Sequence, residues 1–476
     1  MDVCARFKEQ TNSFYSAGVC LKNADRHQDA ISYFEQLLAS DPTNESGWLN
    51  KAQCEIQCED YRAAEKTLLA AQKHCPDFYP VFSEYANIPR KSEDWHSAAE
   101  RWMDVCKSFD EQSAAFYSAG TCLKNADRHQ DAISYFEHLL EADPTHESGW
   151  FNKAQCEIHC EDYQAAERTL LTAQKHYPDY YPVFSEYANI PRKSQDWHSA
   201  AERWMDVCSR FKEQSAAFYS AGICLKNADR HQDAISYFEQ LLESDPTNES
   251  GWINKAQCEI QCSDYQAAEE TLLAAQKRCP DFYPVFSEYA NIPKKDKNWN
   301  ETATRWMDVC KNFDQSAESF YTAAVFLTKA GCDAESLSHL KVLLSFMPSH
   351  EMGIFYKATC LLNLNQYEKA EATLLEGINK HPDFLRYHLT LANLLLTRNR
   401  LDEALEIWTD LAESYPDNPQ CRFGLAVCFM KLKMYESASP YFAVLLASAP
   451  DNKIYSDYSA RCQDLLNRNL PSNSSA

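Results

Sequence analysis

The chain has 476 residues, only 10 of them Gly, and its formal net charge is −23. Scarce Gly with abundant Ala, Glu, Gln, Leu and Lys favours helices over turn-rich β folds. The negative charge argues against a general affinity for nucleic acid or anionic membranes. No run of 18 apolar residues occurs, which argues against a membrane span, and the N-terminus lacks the pattern of a secretory signal.

A long internal repeat begins near the N-terminus. The segment FYSAGVCLKNADRHQDAISYFE starts at Phe14, returns with one change at Phe116 and at Phe218, and has a diverged version at Phe320. The period is therefore 102 residues, and residues 14–115 differ from residues 116–217 at only 16 positions. Copies this similar must share one backbone.

Each 102-residue stretch divides into three parts of 34 residues. Ala30, Ala64 and Ala98 are 34 residues apart, and so are Pro42 and Pro76. Apolar residues three or four apart predict one buried stripe on each helix, for example Tyr33, Phe34, Leu37 and Leu38. Two short helices cannot bury such a stripe alone, so the units must stack on one another. SDPTNES and CPDFYP supply the helix breaks between them.

This period resembles that of the tetratricopeptide repeat family. Trp48 and Phe82 stand where the family signature has a large aromatic residue, and ALEIWTDLAESYPDNP from Ala404 is similar to a consensus second helix and linker. The resemblance implies an all-α, right-handed superhelical solenoid of helix–turn–helix units. We expect thirteen units over residues 11–452, in blocks one to four (11–112, 113–214, 215–316 and 317–418) and a last unit at 419–452. A partial helix over 1–10, a capping helix over 453–470 and a disordered tail over 471–476 complete the predicted organisation.

The first ten residues, MDVCARFKEQ, correspond to segments at Met103 and Met205 that lie inside second helices. The chain therefore begins partway through a repeat. Two interpretations stay open: the chain is a piece of a longer array, or this half-unit is an N-terminal cap.

Cysteine pairs such as Cys54 and Cys58 stand four residues apart, a spacing that could supply half of a zinc site. Against a metal, one register position that usually holds a small residue carries cysteine in many units: Cys20, Cys54, Cys122, Cys156, Cys224, Cys258, Cys360 and Cys428. Free cysteine packs as a small hydrophobe. The sequence therefore predicts free structural thiols in a reducing, cytoplasmic compartment, with no metal or other cofactor.

Two further motifs recur in blocks one to three. His27, His129 and His231 lie in the turn ADRHQDA, where a solvated side chain is expected, and no nucleophile or phosphate loop accompanies them, which argues against an enzyme. Pro89, Pro191 and Pro293 fall late in a first helix, where proline removes a hydrogen bond and should end or kink the helix. In block four Leu395 takes this place. The break is either tolerated or turns Arg90 and Lys91 inward.

In tetratricopeptide proteins the concave surface is lined mainly by first helices, and ligands usually bind there. Applied to this chain, that register implies a ladder of amides and cations: Tyr15, Lys22, Asn23, Asn50, Gln53, Gln57, Asn87, Arg90 and Lys91; Tyr117, Lys124, Asn125, Asn152, Gln155, His159, Asn189, Arg192 and Lys193; Tyr219, Lys226, Asn227, Asn254, Gln257, Gln261, Asn291, Lys294 and Lys295. Amides can hold an extended peptide backbone, and the cations would favour acidic segments. The alternative is a solvated groove without a ligand.

The sequence thus predicts a non-catalytic scaffold that binds proteins or peptides. Chaperone-adaptor members of the family grip a carboxylate with Lys and Asn, but Tyr15, Tyr117 and Tyr219 stand at a lysine position of that clamp. DWHSAAERWMDVCKSF is similar to units attached to bacterial glycan-modifying enzymes. Two alternatives therefore stay open: the targeting array of a larger enzyme such as a bacterial glycosyltransferase, and a structural module that assembles with its own copies.

Overall fold

The computed structural model describes residues 2–469, and the side chains of residues 11–468. Within that range the chain is almost entirely α-helical and contains no β-strand. It forms two compact units, Met1–Asp245 and Pro246–Ala476. The predicted tail over 471–476 lies outside the described residues.

The first unit consists of helix pairs joined by short turns. Its described helices are α1 (Asp2–Asn23), α2 (His27–Ser40), α3 (Glu45–Gln57), α4 (Tyr61–His74), α5 (Tyr79–Asn87), α6 (Trp95–Ser108), α7 (Ser113–Asn125), α8 (His129–Ala142), α9 (Glu147–His159), α10 (Tyr163–His176), α11 (Tyr181–Lys193), α12 (Trp197–Arg210), α13 (Ser215–Asn227) and α14 (His231–Ser244). A 3₁₀ segment, Ile88–Ser92, follows α5.

The second unit has the same construction. Its described helices are α15 (Glu249–Gln261), α16 (Tyr265–Arg278), α17 (Tyr283–Asn291), α18 (Trp299–Asn312), α19 (Ala317–Lys329), α20 (Asp333–Phe346), α21 (Glu351–Asn363), α22 (Tyr367–Lys380), α23 (Leu385–Thr397), α24 (Leu401–Ser414), α25 (Pro419–Lys431), α26 (Tyr435–Ser448) and α27 (Lys453–Asn469). A 3₁₀ segment, Ile292–Asp296, follows α17.

The turn inside each helix pair has a constant conformation. A residue with positive φ stands in it every 34 residues, from Asp25 (φ 55°) to Lys433 (φ 64°), and Gly331 (φ 77°) takes the place once. Many second helices then begin at an Asp or Asn cap, such as Asp60, whose carboxylate accepts a hydrogen bond from the N–H of Ala63 at 3.0 Å. Local sequence therefore fixes the turn and the start of the following helix.

The chain start differs from the prediction. A separate partial helix over 1–10 was expected, but α1 runs without a break from Asp2 to Asn23. At the corresponding place between α6 and α7, Phe109 packs edge-on against Tyr79 and Phe82 of the preceding pair.

The core lies between the two helices of each pair and the next pair. Phe34, Leu37 and Leu38 are buried as predicted, but Tyr33 is 38% exposed, so the predicted stripe is one residue too wide. The helices approach closely where Gly120 faces Phe136: a Cβ atom on Gly120 would lie 2.7 Å from the ring. Glycine is therefore required at this helix crossing.

First helices of successive pairs also touch each other. In the first unit α1 contacts α3 and α3 contacts α5, and the same holds for α7, α9 and α11. Within each of these two blocks the first helices therefore form one layer, and side chains on neighbouring first helices can meet.

Candidate functional site

Polar residues of the predicted groove meet across this layer of first helices. The Lys22 ammonium on α1 donates hydrogen bonds to Oδ1 of Asn50, at 2.7 Å, and to Oε1 of Gln53, both on α3. The Gln53 amide in turn donates to Oε1 of Glu84 on α5, at 3.0 Å. A chain of cation, amides and carboxylate therefore joins three first helices.

Block two repeats this contact. The Lys124 ammonium donates to Oδ1 of Asn152, at 2.7 Å, and to Oε1 of Gln155. Burial lowers the pKa of Lys124. Burial also raises the pKa of Glu186 on α11, although Lys193 and Lys124 oppose that shift. The half-buried cation and carboxylate therefore both lose part of their hydration in this site.

The residues of block three fall in both units. In the first unit Lys226 is half-buried. In the second, Gln257 donates a hydrogen bond to Oε1 of Glu288 at 3.1 Å, which repeats the contact of Gln53 with Glu84. The predicted amides of this block, Asn254 and Gln257, are half-buried.

The predicted tyrosines are anchored rather than free. Each is half-buried with its ring centroid 6.5 Å from that of a core phenylalanine: Tyr15 from Phe34, Tyr117 from Phe136 and Tyr219 from Phe238. The asparagines after the ladder lysines are exposed: Asn23, Asn125 and Asn227. A ligand could therefore reach these asparagines more easily than the tyrosines.

The prolines interrupt two of the three helices. The α-helix ends and a 3₁₀ segment begins just before Pro89 and Pro293, as predicted, but α11 continues through Pro191 to Lys193, so the prediction is wrong there. The residue before the proline also keeps helical angles, since Ile88 has φ −55° and ψ −49°. Proline costs these helices one hydrogen bond without forcing the chain out of the helical region.

The basic residues after the prolines have the same contacts with or without the interruption. Nη1 of Arg90 donates to Oδ1 of Asn87 at 3.0 Å, and Arg192 makes the same contact with Asn189. Both arginines are half-buried, and Lys193 is exposed. The break is therefore not what orients these arginines. In block three Lys294 and Lys295 are exposed, and the Asn291 amide oxygen accepts from Trp306.

A second arginine replaces the hydrogen bond that the proline removes. Pro191 cannot donate to the carbonyl of Tyr187, and Nη1 of Arg203 donates to that oxygen at 3.0 Å. The guanidinium also lies 4.1 Å from the Tyr187 ring centroid and pairs with Glu167. Arg101 and Arg305 make the corresponding contacts with Tyr85 and Tyr289. We refer to Arg101, Arg203 and Arg305 as the clamp arginines.

Block four lacks the proline, the tyrosine and the clamp arginine together, whereas Glu371 keeps the acidic position of Glu167. Leu395 stands at the proline position, Leu391 at the tyrosine position and Ile407 at the position of the clamp arginine. A leucine N–H can donate within the helix, so no external donor is needed. The clamp arginine therefore occurs in this chain where the proline occurs.

The cysteines pack as apolar residues. All 19 cysteines with described side chains are free, and Cys54 is fully buried whereas Cys58, one turn away, is exposed. Burial raises the pKa of the Cys54 thiol to about 11 and that of Cys156 to about 12. No group of three potential metal ligands occurs among the described residues.

The turn histidines are not solvated, contrary to the prediction. The side chains of His27, His129 and His231 are only 16–21% exposed, and their Nδ1 atoms are buried without a hydrogen-bond partner. Each is the first residue of a second helix, α2, α8 or α14. His129 additionally stacks on His159, with ring centroids 4.4 Å apart.

Sequence reasoning missed the glutamates and clamp arginines of this face. Glu84, Glu186 and Glu288 recur every 102 residues and precede Asn87 and its copies by three residues, which places them on the same helix face. That spacing could have revealed them. The clamp arginines also recur every 102 residues, together with the prolines, but that spacing does not reveal their contacts with residues 16 and 36 positions earlier.

Taken together, these features define an α-helical repeat protein. Its repeating unit is a helix pair with a 34-residue period, and its first helices form a polar layer. Two models described as Tetratricopeptide repeat match the chain: one matches residues 23–81, 125–187 and 227–286, and the other matches 190–249, 355–419 and 389–453. These matches together cover more than half of the sequence, so the chain belongs to the tetratricopeptide repeat family. Proteins of this family are generally non-catalytic scaffolds in protein interaction.

Individual relatives are distant. Superkiller protein 3 of Schizosaccharomyces pombe is 23% identical over 287 residues, which cover 56% of this chain and 20% of that protein. BBSome complex member BBS4 of Bos taurus is 26% identical over 103 residues, which cover 22% of this chain and 19% of that protein. The chain thus spans about a fifth of the length of these relatives. A chain in the structure of Naa15/Naa10 bound to HypK-THB has a TM-score of 0.40 and 12% identity, over 96% of this chain and 79% of that one.

None of the helices in the described part of the chain combines the length and the apolar character needed to cross a bilayer.

Proposed function

We propose that this chain is a non-catalytic scaffold that binds an extended, acidic protein segment along its layer of first helices. The observation that carries the proposal is the repeated contact of one lysine with two amides of the next first helix, Lys22 in block one and Lys124 in block two. Ammonium and amide groups offer a peptide backbone both donors and acceptors, and they offer acidic side chains a counter-charge.

The exposed cations beside these contacts favour an acidic partner. Lys193 is exposed and forms no ion pair among the described residues, and the half-buried Arg192 bonds only to the neutral Asn189 within its helix. Each charge-assisted contact with a partner would contribute about 1.5–3 kcal/mol if desolvated, and about 0–1 kcal/mol if exposed. Glu186 in the same face would repel acidic groups, so binding should depend on how a partner is positioned.

The rest of the chain fits this role. We propose that residues 11–452 form thirteen helix-pair units and that α27 covers the apolar face of the pair before it through its contact with α26. Many unpaired cysteines suit a reducing compartment such as the cytoplasm.

The test is a charge reversal in block two. The variant Arg192→Glu/Lys193→Glu should bind a fluorescein-labelled, Asp- and Glu-rich peptide at least tenfold more weakly than the unmodified chain, measured by fluorescence anisotropy. Raising the salt concentration should weaken binding to the unmodified chain as well. The same variants should then be compared in affinity capture from cell extract with mass spectrometry, which identifies the natural partner.

A matched control distinguishes the loss of a specific binding site from the effect of the changed net charge. Arg168→Glu/Lys175→Glu changes the charge equally, in the same block, but on two exposed residues of the second helix α10. Circular dichroism should show that both variants fold. Equal weakening in both variants, or no weakening in either, would contradict binding on the first helices.

A further inference from the structure

In blocks one and two a lysine between helices is neutralised by two glutamates. Nζ of Lys51 on α3 lies 3.2 Å from the carboxylate of Glu35 on α2 and 3.5 Å from that of Glu55 on its own helix. Thr67 on α4 donates to the Glu55 carboxylate at 3.1 Å. Lys51 is only 16% exposed, so this pairing compensates a largely desolvated charge.

Block two repeats the arrangement. Lys153 lies 3.2 Å from Glu137 and 3.0 Å from Glu157, and its side chain is 15% exposed. Thr169 again donates to the buried carboxylate, Glu157, at 3.2 Å. The same two carboxylates therefore neutralise the lysine in both blocks.

Block four keeps the lysine and loses both carboxylates. Lys357 corresponds to Lys51, but Lys341 stands at the position of Glu35 and Leu361 at that of Glu55. A third cation, Lys369, replaces an alanine of the earlier blocks. In blocks one and two, two carboxylates neutralise one lysine at this position. In block four the substitutions leave three ammonium groups there instead.

These residues surround an open cavity of about 400 Å³. Lys341 comes from α20, Lys357 and Leu361 from α21, and Lys369 from α22. The one carboxylate among the lining residues, Glu376, is already paired with Lys380 outside the lining, at 2.6 Å. The cavity therefore combines three cations and one paired carboxylate with an apolar wall formed in part by Leu361. Of the three cations, Lys369 also donates to Oε1 of Gln366, at 3.0 Å.

Lys357 is the group that most needs a counter-ion. It is half-buried and, among the described residues, forms neither a close ion pair nor a hydrogen bond; the Glu376 carboxylate, which is already paired with Lys380, attracts it only at longer range, whereas its counterparts Lys51 and Lys153 each have two carboxylates in close contact. A partly desolvated ammonium without a close partner is unfavourable, and an oxyanion placed in direct contact with it, among three lysines, would relieve that cost.

We propose that this cavity binds a phosphate group carried by a protein segment. Two of its three helices, α20 and α22, are second helices, and none of its lining residues belongs to the predicted ladder on the first helices. The site is therefore separate from the proposed groove, and it can exist whether or not that groove binds a peptide. The apolar wall suits a segment with aliphatic residues beside its anionic one.

The experiment uses the full chain and three probes: a labelled peptide with one phosphoserine among alanine and leucine, the same peptide with serine, and inorganic phosphate. The phosphopeptide should bind, and the serine peptide should bind at least tenfold more weakly, by fluorescence anisotropy. Inorganic phosphate, by calorimetry, should bind more weakly than the phosphopeptide. Equal affinity for inorganic phosphate and phosphopeptide would overturn the assignment to a protein segment.

Two variants test the residues. Lys357→Met keeps the aliphatic stem and should lower phosphopeptide affinity at least tenfold. Lys341→Glu restores the residue that block one has at this position, so it should fold and also lose binding. Lys153→Met, at the equivalent place in block two, is the matched control and should leave affinity unchanged.

A gain of binding provides the converse test. Transplanting the block-four residues into block two, as Glu137→Lys/Glu157→Leu/Ala165→Lys, should create a second site and raise the measured stoichiometry from one to two. The proposal fails if the unmodified chain binds neither anionic probe, or if Lys357→Met and Lys341→Glu fold and bind the phosphopeptide with unchanged affinity. Because Arg192→Glu/Lys193→Glu should leave this phosphopeptide binding intact, failure here and failure of the groove are distinguishable.

Discussion

The clamp arginine of block two should be a major local source of stability. Arg203→Met removes the guanidinium but keeps much of the aliphatic stem. The lost contacts are the hydrogen bond to the Tyr187 carbonyl at 3.0 Å, the stacking on the Tyr187 ring at 4.1 Å and the ion pair with Glu167. A hydrogen bond from a charged donor contributes about 1.5–3 kcal/mol, a partly exposed cation–π contact about 0.5–1 kcal/mol and a partly exposed ion pair about 0–1 kcal/mol.

These contributions overlap because one group makes all three contacts, so we expect a total cost of about 2–4 kcal/mol. Stability in a repeat protein is distributed over units and their neighbours, so a local assay is needed. Hydrogen exchange followed by mass spectrometry should show faster opening of α11 and α12, with little change in block one. Lys107→Met, which breaks an exposed ion pair with Asp104, is the control and should cost less than about 1 kcal/mol.

A double-mutant cycle isolates the role of the proline. Pro191→Leu gives the helix a backbone N–H that can donate to Tyr187, so Arg203→Ile should cost about 1–2 kcal/mol less in that background than alone. Block four already combines the two residues, as Leu395 and Ile407. If the two substitutions were additive within about 0.5 kcal/mol, the arginine would not be replacing the bond that proline removes.

Three further predictions concern packing, thiols and charge. Gly120→Ala should cost about 1–3 kcal/mol in urea denaturation, because its Cβ would lie 2.7 Å from the Phe136 ring, and Phe136→Leu should recover part of the loss; a neutral Gly120→Ala would contradict the close approach. Cys58 should react with a thiol reagent at pH 8 far faster than the buried Cys156, whose pKa is raised to about 12, and equal native rates would refute the burial. Burial raises the folded-state pKa of Glu186 above its unfolded value, so its charge opposes folding at neutral pH and protonation relieves this as pH falls. Glu186→Gln should therefore stabilise the chain at pH 7, with the gain in the free energy of unfolding disappearing in acid.

The fold was predictable because its signals are local and repeated. The 34-residue spacing of Ala30, Ala64 and Ala98 identifies the helix pairs, and all three alanines are fully buried. The break at Pro89 was predictable for the same reason, since proline acts on its own helix.

The contacts of the candidate site were less accessible to sequence reasoning. Lys22 meets Asn50 and Gln53, 28 and 31 residues away, only because first helices of successive pairs lie side by side. The repeat register places these side chains on one face of the first helices, but it does not show that they form hydrogen bonds with one another. The uninterrupted helix at Pro191 was not predictable, because the helices at Pro89 and Pro293 have nearly the same local sequence and the same arginine contact but are interrupted.

The similarity of blocks one to three has a consequence for how the gene can change length. If residues 113–214 were deleted, α6 would be followed by α13 in place of α7, and these two helices differ only at Thr121 and its counterpart Ile223. The new junction would therefore reproduce the packing that α12 and α13 already have. Unequal crossing-over between the repeated coding segments would add or remove whole blocks without creating an unfamiliar interface. Array length in this protein is thus a property that recombination can adjust in steps of 102 residues.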